Sequence, residues 1–219
     1  YIRSERDQMK KIISKILIVI LLISSCIGTI NVAPVTVNAA TKTNWPKGPS
    51  IYGQTGVLIE ASTGTVLYDK KCNKKMYPAS ITKIMTALLT IENCKMDEMV
   101  TFSDATIHSI QYGDANMGCS VGEKMTVKDC LYALMLQSAN EVATALGEHI
   151  AGSTKNFAEM MNKRAKEAGA LNTHFANANG LHDPNHYVTA YDMAMITRAA
   201  SKYSVFNDIV LSLIHISEP

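Results

Sequence analysis

A serine and a lysine lie three residues apart where a helix is predicted to begin. Ser80 and Lys83 follow Pro78, which suits a first helical turn because its fixed φ is helical and its missing N–H is not needed there. In that turn, free backbone N–H groups and the positive end of the helix dipole favour a developing oxyanion on Ser80. Lys83 lies one turn further along the same face. A hydroxyl with an amine beside it is typical of an activated nucleophile.

The two short motifs are not informative by themselves. Ser-x-x-Lys occurs once, at Ser80, and Ser-x-Asn occurs once, at Ser138, and a chain of this composition is expected to contain each about once by chance. Only the placement of the two motifs in the fold can give them meaning.

Several elements must position these residues. Residues 56–60 and 65–68 are rich in β-forming residues and predict a hairpin with a four-residue turn. The helix after Pro78 is predicted to end near residues 92–94. Its buried stripe is predicted to comprise Ile81, Ile84, Met85, Leu88 and Leu89.

The second half of the chain predicts a run of helices. Two Thr-x-x-Asp capping boxes, at Thr126 and Thr189, each open a helix. The first breaks at residues 137–140, and a new helix covers 141–150. A third begins after Ser153 and ends at a glycine cap, Gly169. Residues 97–122 show the least pattern and predict loops and short pieces that could form the wall of a cleft.

Length and charge limit the class of protein. A chain of 219 residues with a net charge of +2 and 18% charged residues fits one ordinary domain and gives no sign of nucleic-acid binding. The 12 methionines are interpreted as core filling.

The N-terminal residues resemble a targeting segment. Residues 9–39 combine a basic start, an apolar run and small residues at Val37 and Ala39, which predicts a signal peptide cleaved after Ala39. An alternative is a lipoprotein cleavage box ending at Cys26, and an uncleaved anchor is also open, although the apolar run is short for a membrane span. Residues 1–8 are interpreted as upstream translation, and residues 40–52 as a linker.

The remaining cysteines and histidines do not predict a metal site. The four cysteines after residue 39 match no zinc spacing and are interpreted as free thiols, with a disulfide as the alternative. His182 and His186 are four residues apart, but Pro184 breaks the helix that such ligation needs.

Four runs of residues, taken in order, resemble one family. They are residues 77–83, 136–141, 175–183 and 187–192. They are similar to the serine D-alanyl-D-alanine carboxypeptidases, the low-molecular-mass penicillin-binding proteins, and the similarity extends from about residue 53 to residue 198. The resemblance implies an α+β fold of the β-lactamase/transpeptidase type, with a mixed sheet flanked by helices and an all-helical insertion.

The resemblance also implies roles for the site residues. Ser80 would attack the terminal D-Ala-D-Ala bond of a peptidoglycan stem peptide and form an acyl-enzyme, with Lys83 as general base. Ser138 would relay protons, and Asn140 would hold the substrate amide. Neither a cofactor nor a metal is implied. The resemblance implies that β-lactam antibiotics would be covalent inhibitors. It also implies that the protein would be exported to the extracytoplasmic face of the membrane or the cell wall. A C-terminal helix outside this sequence would give peripheral membrane association.

One element of the family pattern is missing. The family carries a Lys-Thr-Gly strand downstream, and this sequence has none. Residues 211–219 follow no earlier pattern and match a translated sequencing adapter, so we expect a partial domain over 53–210, without its C-terminal strands. We therefore expect the chain as written to be inactive or unstable.

Two alternative functions are open. A class A β-lactamase-like hydrolase needs a glutamate for deacylation after the Ser-x-Asn motif, and residues 168–217 contain no glutamate. A non-catalytic cell-wall-binding homologue would be expected to lose the nucleophile or the base, and Ser80 and Lys83 are both present.

Overall fold

The structure is a computed structural model that describes residues 48–217. The predicted upstream residues 1–8, the signal peptide 9–39 and most of the 40–52 linker lie outside the described residues. Within residues 48–217, no helix is both long enough and apolar enough to cross a membrane.

The described chain contains four short strands and seven α-helices. In order they are β1 (Gly56–Ile59), β2 (Val66–Lys70), a 3-10 turn (Ala79–Thr82), α1 (Lys83–Asn93), β3 (Met99–Thr101), α2 (Asp104–His108), β4 (Lys124–Thr126), α3 (Val127–Leu136), α4 (Asn140–Ala151), α5 (Thr154–Glu167), α6 (Ala190–Ala200) and α7 (Ser204–Ser217).

The strands form two separate antiparallel pairs within residues 48–217, β1 with β2 and β3 with β4. The predicted hairpin is therefore confirmed. Its turn is organised by Glu60, whose carboxylate accepts hydrogen bonds from the backbone N–H groups of Ser62 and Thr63 at 2.9 and 2.6 Å. These and the neighbouring hydroxyl donors lower the pKa of Glu60 to about 2. The larger mixed sheet implied by the resemblance is not formed by these residues.

Helix α1 is the centre of the helical part, because it contacts all five of the other helices of ten residues or more. Its buried stripe is confirmed at Met85, Leu88 and Leu89. The prediction is wrong for Ile81, which is 48% exposed because it lies in the 3-10 turn rather than in the helix. The α1 face packs into one apolar core that includes Leu131, Leu134, Leu146, Phe157, Met161 and Ile196.

The predicted helix starts are confirmed by their capping contacts. The hydroxyls of Thr126, Ser153 and Thr189 each accept the backbone N–H three residues on. The Thr189 box differs in one respect from the predicted form. Asp192 does not reach back to the cap but accepts hydrogen bonds from the N–H of Asn172 and the hydroxyl of Thr173, at 2.7 and 2.8 Å. It therefore fastens the loop before α6.

Residues 97–122 consist of loops and short pieces of secondary structure, as predicted. Residues 97–122 contain β3 and α2, the latter capped by Ser103; both are too short to show a hydrophobic period. Helix α7 covers Ser204–Ser217, and the boundary expected after residue 210 stays a prediction. The cysteines at positions 72, 94, 119 and 130 are free thiols, as interpreted from the sequence.

Candidate active site

Ser80 lies in a tight turn that precedes α1. The sequence predicts Ser80 in the first turn of that helix, but residues Ala79–Thr82 form a 3-10 turn and α1 begins at Lys83. Ala79 adopts a positive φ of 50°, which is unusual for a residue with a side chain. The side chain of Ser80 stays exposed, while Lys83 is only 2% exposed. The turn therefore presents the hydroxyl at the surface and directs the amine inward.

The Lys83 ammonium joins three parts of the chain. Its Nζ donates to Ser80 Oγ at 3.2 Å, to Asn140 Oδ1 at 2.7 Å and to the backbone carbonyl of Asn179 at 2.9 Å. An ammonium has three N–H donors, and these three acceptors match them. Ser80, Lys83 and Asn140, which are predicted to act together, are thus brought together by the structure.

Burial changes the acidity of this lysine. Loss of hydration lowers the pKa of Lys83 from 10.5 to about 8, while the carboxylates of Asp114 and Glu141 act in the opposite direction. Roughly one molecule in ten then carries a neutral amine at pH 7. A neutral amine at 3.2 Å from the Ser80 hydroxyl can accept its proton.

Asn140 and Ser138 occupy the predicted break between α3 and α4. Asn140 is the first residue of α4 and is 5% exposed, and its backbone N–H donates to the carbonyl of Ala115 at 2.9 Å. Ser138 adopts a positive φ of 55°. Its Oγ is buried without a hydrogen-bond partner among the described residues, so the structure does not join Ser138 to Lys83 by a hydrogen bond. A relay role for Ser138 stays a prediction.

The loop after α5 forms a third wall, which sequence reasoning does not assign to the site. The carbonyl of Asn179 accepts from Lys83, and the Asn179 side chain accepts from the N–H of Leu181 at 3.0 Å. The loop is tied to the serine turn by His186, whose Nε2 lies 3.0 Å from Thr82 Oγ1. Burial lowers the pKa of His186 to about 4, so this histidine is neutral at pH 7. The Asn-x-Asn-Gly run at residues 177–180 is the sequence feature that could have pointed to this loop. The contact with Lys83 is made by a backbone carbonyl, however, and residue type does not predict such a contact.

Sequence reasoning also misses Glu141. It follows Asn140, is 1% exposed, and accepts the backbone N–H of Met117 at 2.5 Å. Its other oxygen has no partner among the described residues. Glu141 therefore joins the start of α4 to the 109–122 loop and places a negative charge near the lysine. The cluster of possible metal ligands in the described residues is Cys94, Glu98 and His149, and it does not include any residue of this site.

Comparisons with known proteins identify the family of the chain. Residues 40–214 match the model of the D-alanyl-D-alanine carboxypeptidase family. The chain is 42% identical over 155 residues to D-alanyl-D-alanine carboxypeptidase DacF of Bacillus subtilis, covering 68% of this chain and 39% of that protein. It is 33% identical over 161 residues to DacC of Escherichia coli, with coverages of 70% and 40%.

Solved structures show the same likeness. The DD-transpeptidase of Streptomyces K15 aligns with a TM-score of 0.70 at 33% identity, over 75% of this chain and 66% of that one. Penicillin-binding protein 6B of Escherichia coli aligns with a TM-score of 0.71 at 28% identity, over 76% and 55%. The fold is therefore the DD-peptidase fold, related to that of β-lactamases.

The chain matches only part of the length of its relatives. The chain spans about two fifths of the length of the curated relatives it matches, 39% of DacF and 40% of DacC. The family model, in contrast, covers most of this chain. The chain belongs to the D-alanyl-D-alanine carboxypeptidase family.

Proposed function

We propose that these residues form the nucleophile-bearing part of a serine D-alanyl-D-alanine carboxypeptidase that removes the terminal D-alanine from peptidoglycan pentapeptide stems. The observation that carries the proposal is the contact of the buried Lys83 amine with Ser80 Oγ at 3.2 Å and with Asn140 Oδ1 at 2.7 Å. Family membership supports the substrate class, because the relatives are named for this activity.

The proposed reaction begins with proton transfer. Neutral Lys83 takes the proton from Ser80 Oγ, and the oxygen attacks the carbonyl carbon of the penultimate D-alanine. The tetrahedral intermediate collapses, the amide C–N bond breaks, and the leaving amine receives a proton as free D-alanine departs. Water then attacks the acyl-enzyme ester and releases the shortened stem and Ser80. A well-placed hydrogen-bond donor to the oxyanion contributes about 3–4 kcal/mol.

The remaining site residues receive supporting roles in this proposal. Asn140 orients the substrate amide while its Oδ1 holds Lys83 in place. Ser138 carries a proton between Lys83 and the leaving amine. β-Lactams acylate Ser80 and mimic the first half of the reaction. The substrate is in the cell wall, so the proposed location is extracytoplasmic, with peripheral attachment to the membrane.

The β-lactamase-like alternative receives less support. Residues 168–217 lack the glutamate that class A enzymes place after the Ser-x-Asn motif. The loop supplies the Asn179 carbonyl at 2.9 Å from Lys83 instead. Slow release of bound penicillin, over hours, fits a carboxypeptidase, whereas turnover in seconds would favour the lactamase.

The test compares two proteins, because this sequence contains no Lys-Thr-Gly. One is the 219-residue chain, and the other joins residues 1–210 to the region of Bacillus subtilis DacF that follows the aligned segment. We expect a fluorescent penicillin to label the chimera stably and to leave the 219-residue chain unlabelled; stable labelling of that chain would contradict the expectation that it is inactive.

The variant series identifies the nucleophile. Ser80→Ala should abolish labelling of the chimera, while Ser50→Ala, at an exposed serine outside the helices and strands, should leave it unchanged. A cooperative thermal transition in each variant checks folding. Labelling that persists in Ser80→Ala would refute the assignment of the nucleophile.

A further inference from the structure

Three side chains with different metal-binding atoms meet at the end of α1 that lies away from Ser80. They are Cys94, Glu98 and His149, and their ligand atoms all lie within 4.8 Å of one another. His149 Nε2 is 3.3 Å from Glu98 Oε2. We propose that this thiol, carboxylate and imidazole form a zinc-binding site with three protein ligands.

The backbone already holds two of the three residues in place. Cys94 caps the end of α1, where its N–H donates to the carbonyl of Thr90 at 3.0 Å. Glu98 closes the following turn by accepting the N–H of Lys95 at 3.0 Å through its Oε1. Its own carbonyl accepts the N–H of Val127, at the start of α3, at 2.8 Å. These hydrogen bonds therefore fix the position of the turn that carries the two ligands.

The third ligand comes from another helix. His149 is in the last turn of α4, and its side chain is 28% exposed. Cys94 and Glu98 are half-buried. The side chains of His149 and Glu98 both reach the surface, at 28% and 38% exposed. Small rotations of these two side chains can therefore bring the donor atoms to the separation of about 3.5 Å that tetrahedral zinc requires.

The donor set selects the kind of metal. Thiolate, imidazole and carboxylate are the three side-chain ligands of zinc, whereas calcium and magnesium bind oxygen atoms. Three protein ligands leave a fourth position on the solvent side, which water can occupy. Burial and the Glu98 carboxylate raise the pKa of Cys94 to about 11, so zinc has to displace the thiol proton as it binds.

The sequence could not reveal this site by spacing. Cys94 and Glu98 are near each other in sequence, but His149 is more than fifty residues further on, and no zinc pattern spans that interval. Only the packing of α1 against α4 brings the imidazole to the thiol.

The proposed zinc site lies between the ends of the two helices that begin at the candidate active site. Lys83 is the first residue of α1 and Cys94 directly follows its last; Asn140 is the first residue of α4 and His149 is in its last turn. At 1.5 Å per residue, each helix separates its ligand from the candidate active site by roughly 15 Å. A bound zinc would therefore join, at their far ends, the two helices whose near ends hold Lys83 and Asn140.

The chain offers matched controls. His108 and Asp104 make a second histidine–carboxylate pair with the same 3.3 Å separation, but no cysteine joins them among the described metal-ligating groups. Cys119 is another half-buried free thiol. The variants Cys94→Ser and His149→Gln therefore test the site, and His108→Gln and Cys119→Ser test for non-specific binding.

The experiment titrates the 219-residue chain with Co²⁺ and then with Zn²⁺. We expect one equivalent of Co²⁺ to give tetrahedral visible bands and a thiolate charge-transfer band, both removed by Zn²⁺. Competition with a chromophoric chelator should show zinc binding at least about tenfold weaker in Cys94→Ser and His149→Gln, and unchanged in the two controls. Zinc should raise the melting temperature of the wild type but not that of Cys94→Ser.

Circular dichroism without metal shows whether each variant is folded. The proposal is overturned if the wild type binds no zinc, if the thiolate band survives in Cys94→Ser, or if the control variants lose zinc equally.

Discussion

At the scale of single residues, Lys83 has to meet two opposed requirements. As an ammonium it satisfies three acceptors, Ser80 Oγ, Asn140 Oδ1 and the Asn179 carbonyl. As a base it has to lose a proton. Burial makes this loss easier, and the carboxylates of Asp114 and Glu141 limit the effect. The balance leaves a pKa of about 8, close to the working pH that general-base catalysis prefers.

The acidity of Lys83 predicts how stability depends on pH. Its pKa is about 8 in the folded chain and 10.5 when unfolded, so the unfolded state binds more protons between these values. The free energy of unfolding contributed by Lys83 should therefore increase as pH rises from about 8 to 10.5, by up to about 3 kcal/mol. Urea unfolding of the wild type and Lys83→Met at several pH values measures the difference.

The control for this prediction is Lys155→Met, which changes an exposed lysine on α5. We expect it to keep the pH dependence of the wild type. If the difference in free energy of unfolding between the wild type and Lys83→Met stays constant across this pH range, the folded-state pKa on which the prediction rests is contradicted.

Residue types predict part of the site. Ser80 and Lys83 can be identified as candidates because a hydroxyl and an amine lie three residues apart at a predicted helix start. Asn140 is assigned through the family resemblance, at a predicted break between two helices. The Asn179 carbonyl and the Glu141 carboxylate cannot be identified from the sequence, because their contacts depend on how the 175–183 and 109–122 loops fold back on the helices. Such contacts depend on tertiary structure, which local patterns do not encode.

At the scale of elements, the serine turn depends on a close approach by the 175–183 loop. Gly180 has a φ of 91°, and a Cβ added to it would overlap the carbonyl group of Ala79. That group belongs to the backbone, so it cannot move aside as a flexible side chain would. Gly180 therefore allows the loop to pass directly against the turn that carries Ser80.

Replacing Gly180 should lower the free energy of unfolding more than replacing a glycine whose added Cβ would meet no other atom. Gly118 also has a positive φ, of 78°, but a Cβ added there would meet nothing within 4 Å, so Gly118→Ala should cost only the backbone strain of about 1–2 kcal/mol. Gly180→Ala should cost about 1–3 kcal/mol more, because the loop has to shift away from Ala79. Chemical denaturation of both variants gives the comparison; equal losses would argue against the close approach.

The sequence predicts the start of a helix correctly where a contact between residues close in sequence determines it. Thr126, Ser153 and Thr189 cap their helices through contacts three residues away, which sequence shows directly. The prediction fails where contacts with segments distant in sequence determine the local structure. Strand β3 has three residues and exists through pairing with β4, and the 3-10 form of residues 79–82 accompanies the close contact with Gly180.

At the scale of the whole described chain, the β1–β2 hairpin lies against α6, apart from the core around α1. Leu58, Val66 and Leu67 of the hairpin are 56%, 43% and 44% exposed. Its turn is held by Arg198 of α6, whose Nε and Nη2 donate to the carbonyls of Ala61 and Ser62, both at 2.6 Å. The hairpin therefore depends on few contacts, and its stability should differ from that of the helical core.

Arg198→Ala should loosen the hairpin without unfolding the helices. Two exposed hydrogen bonds from a charged group are together worth about 1–2 kcal/mol, which corresponds to roughly five- to thirtyfold faster amide exchange. Hydrogen exchange should therefore speed up across β1 and β2, while amides in α1 and α4 keep their rates because their contacts lie in the core. Lys202→Ala, at an exposed position just after α6, is the control and should leave the hairpin unchanged. Uniformly faster exchange in hairpin and helices would mean that the two unfold as one unit.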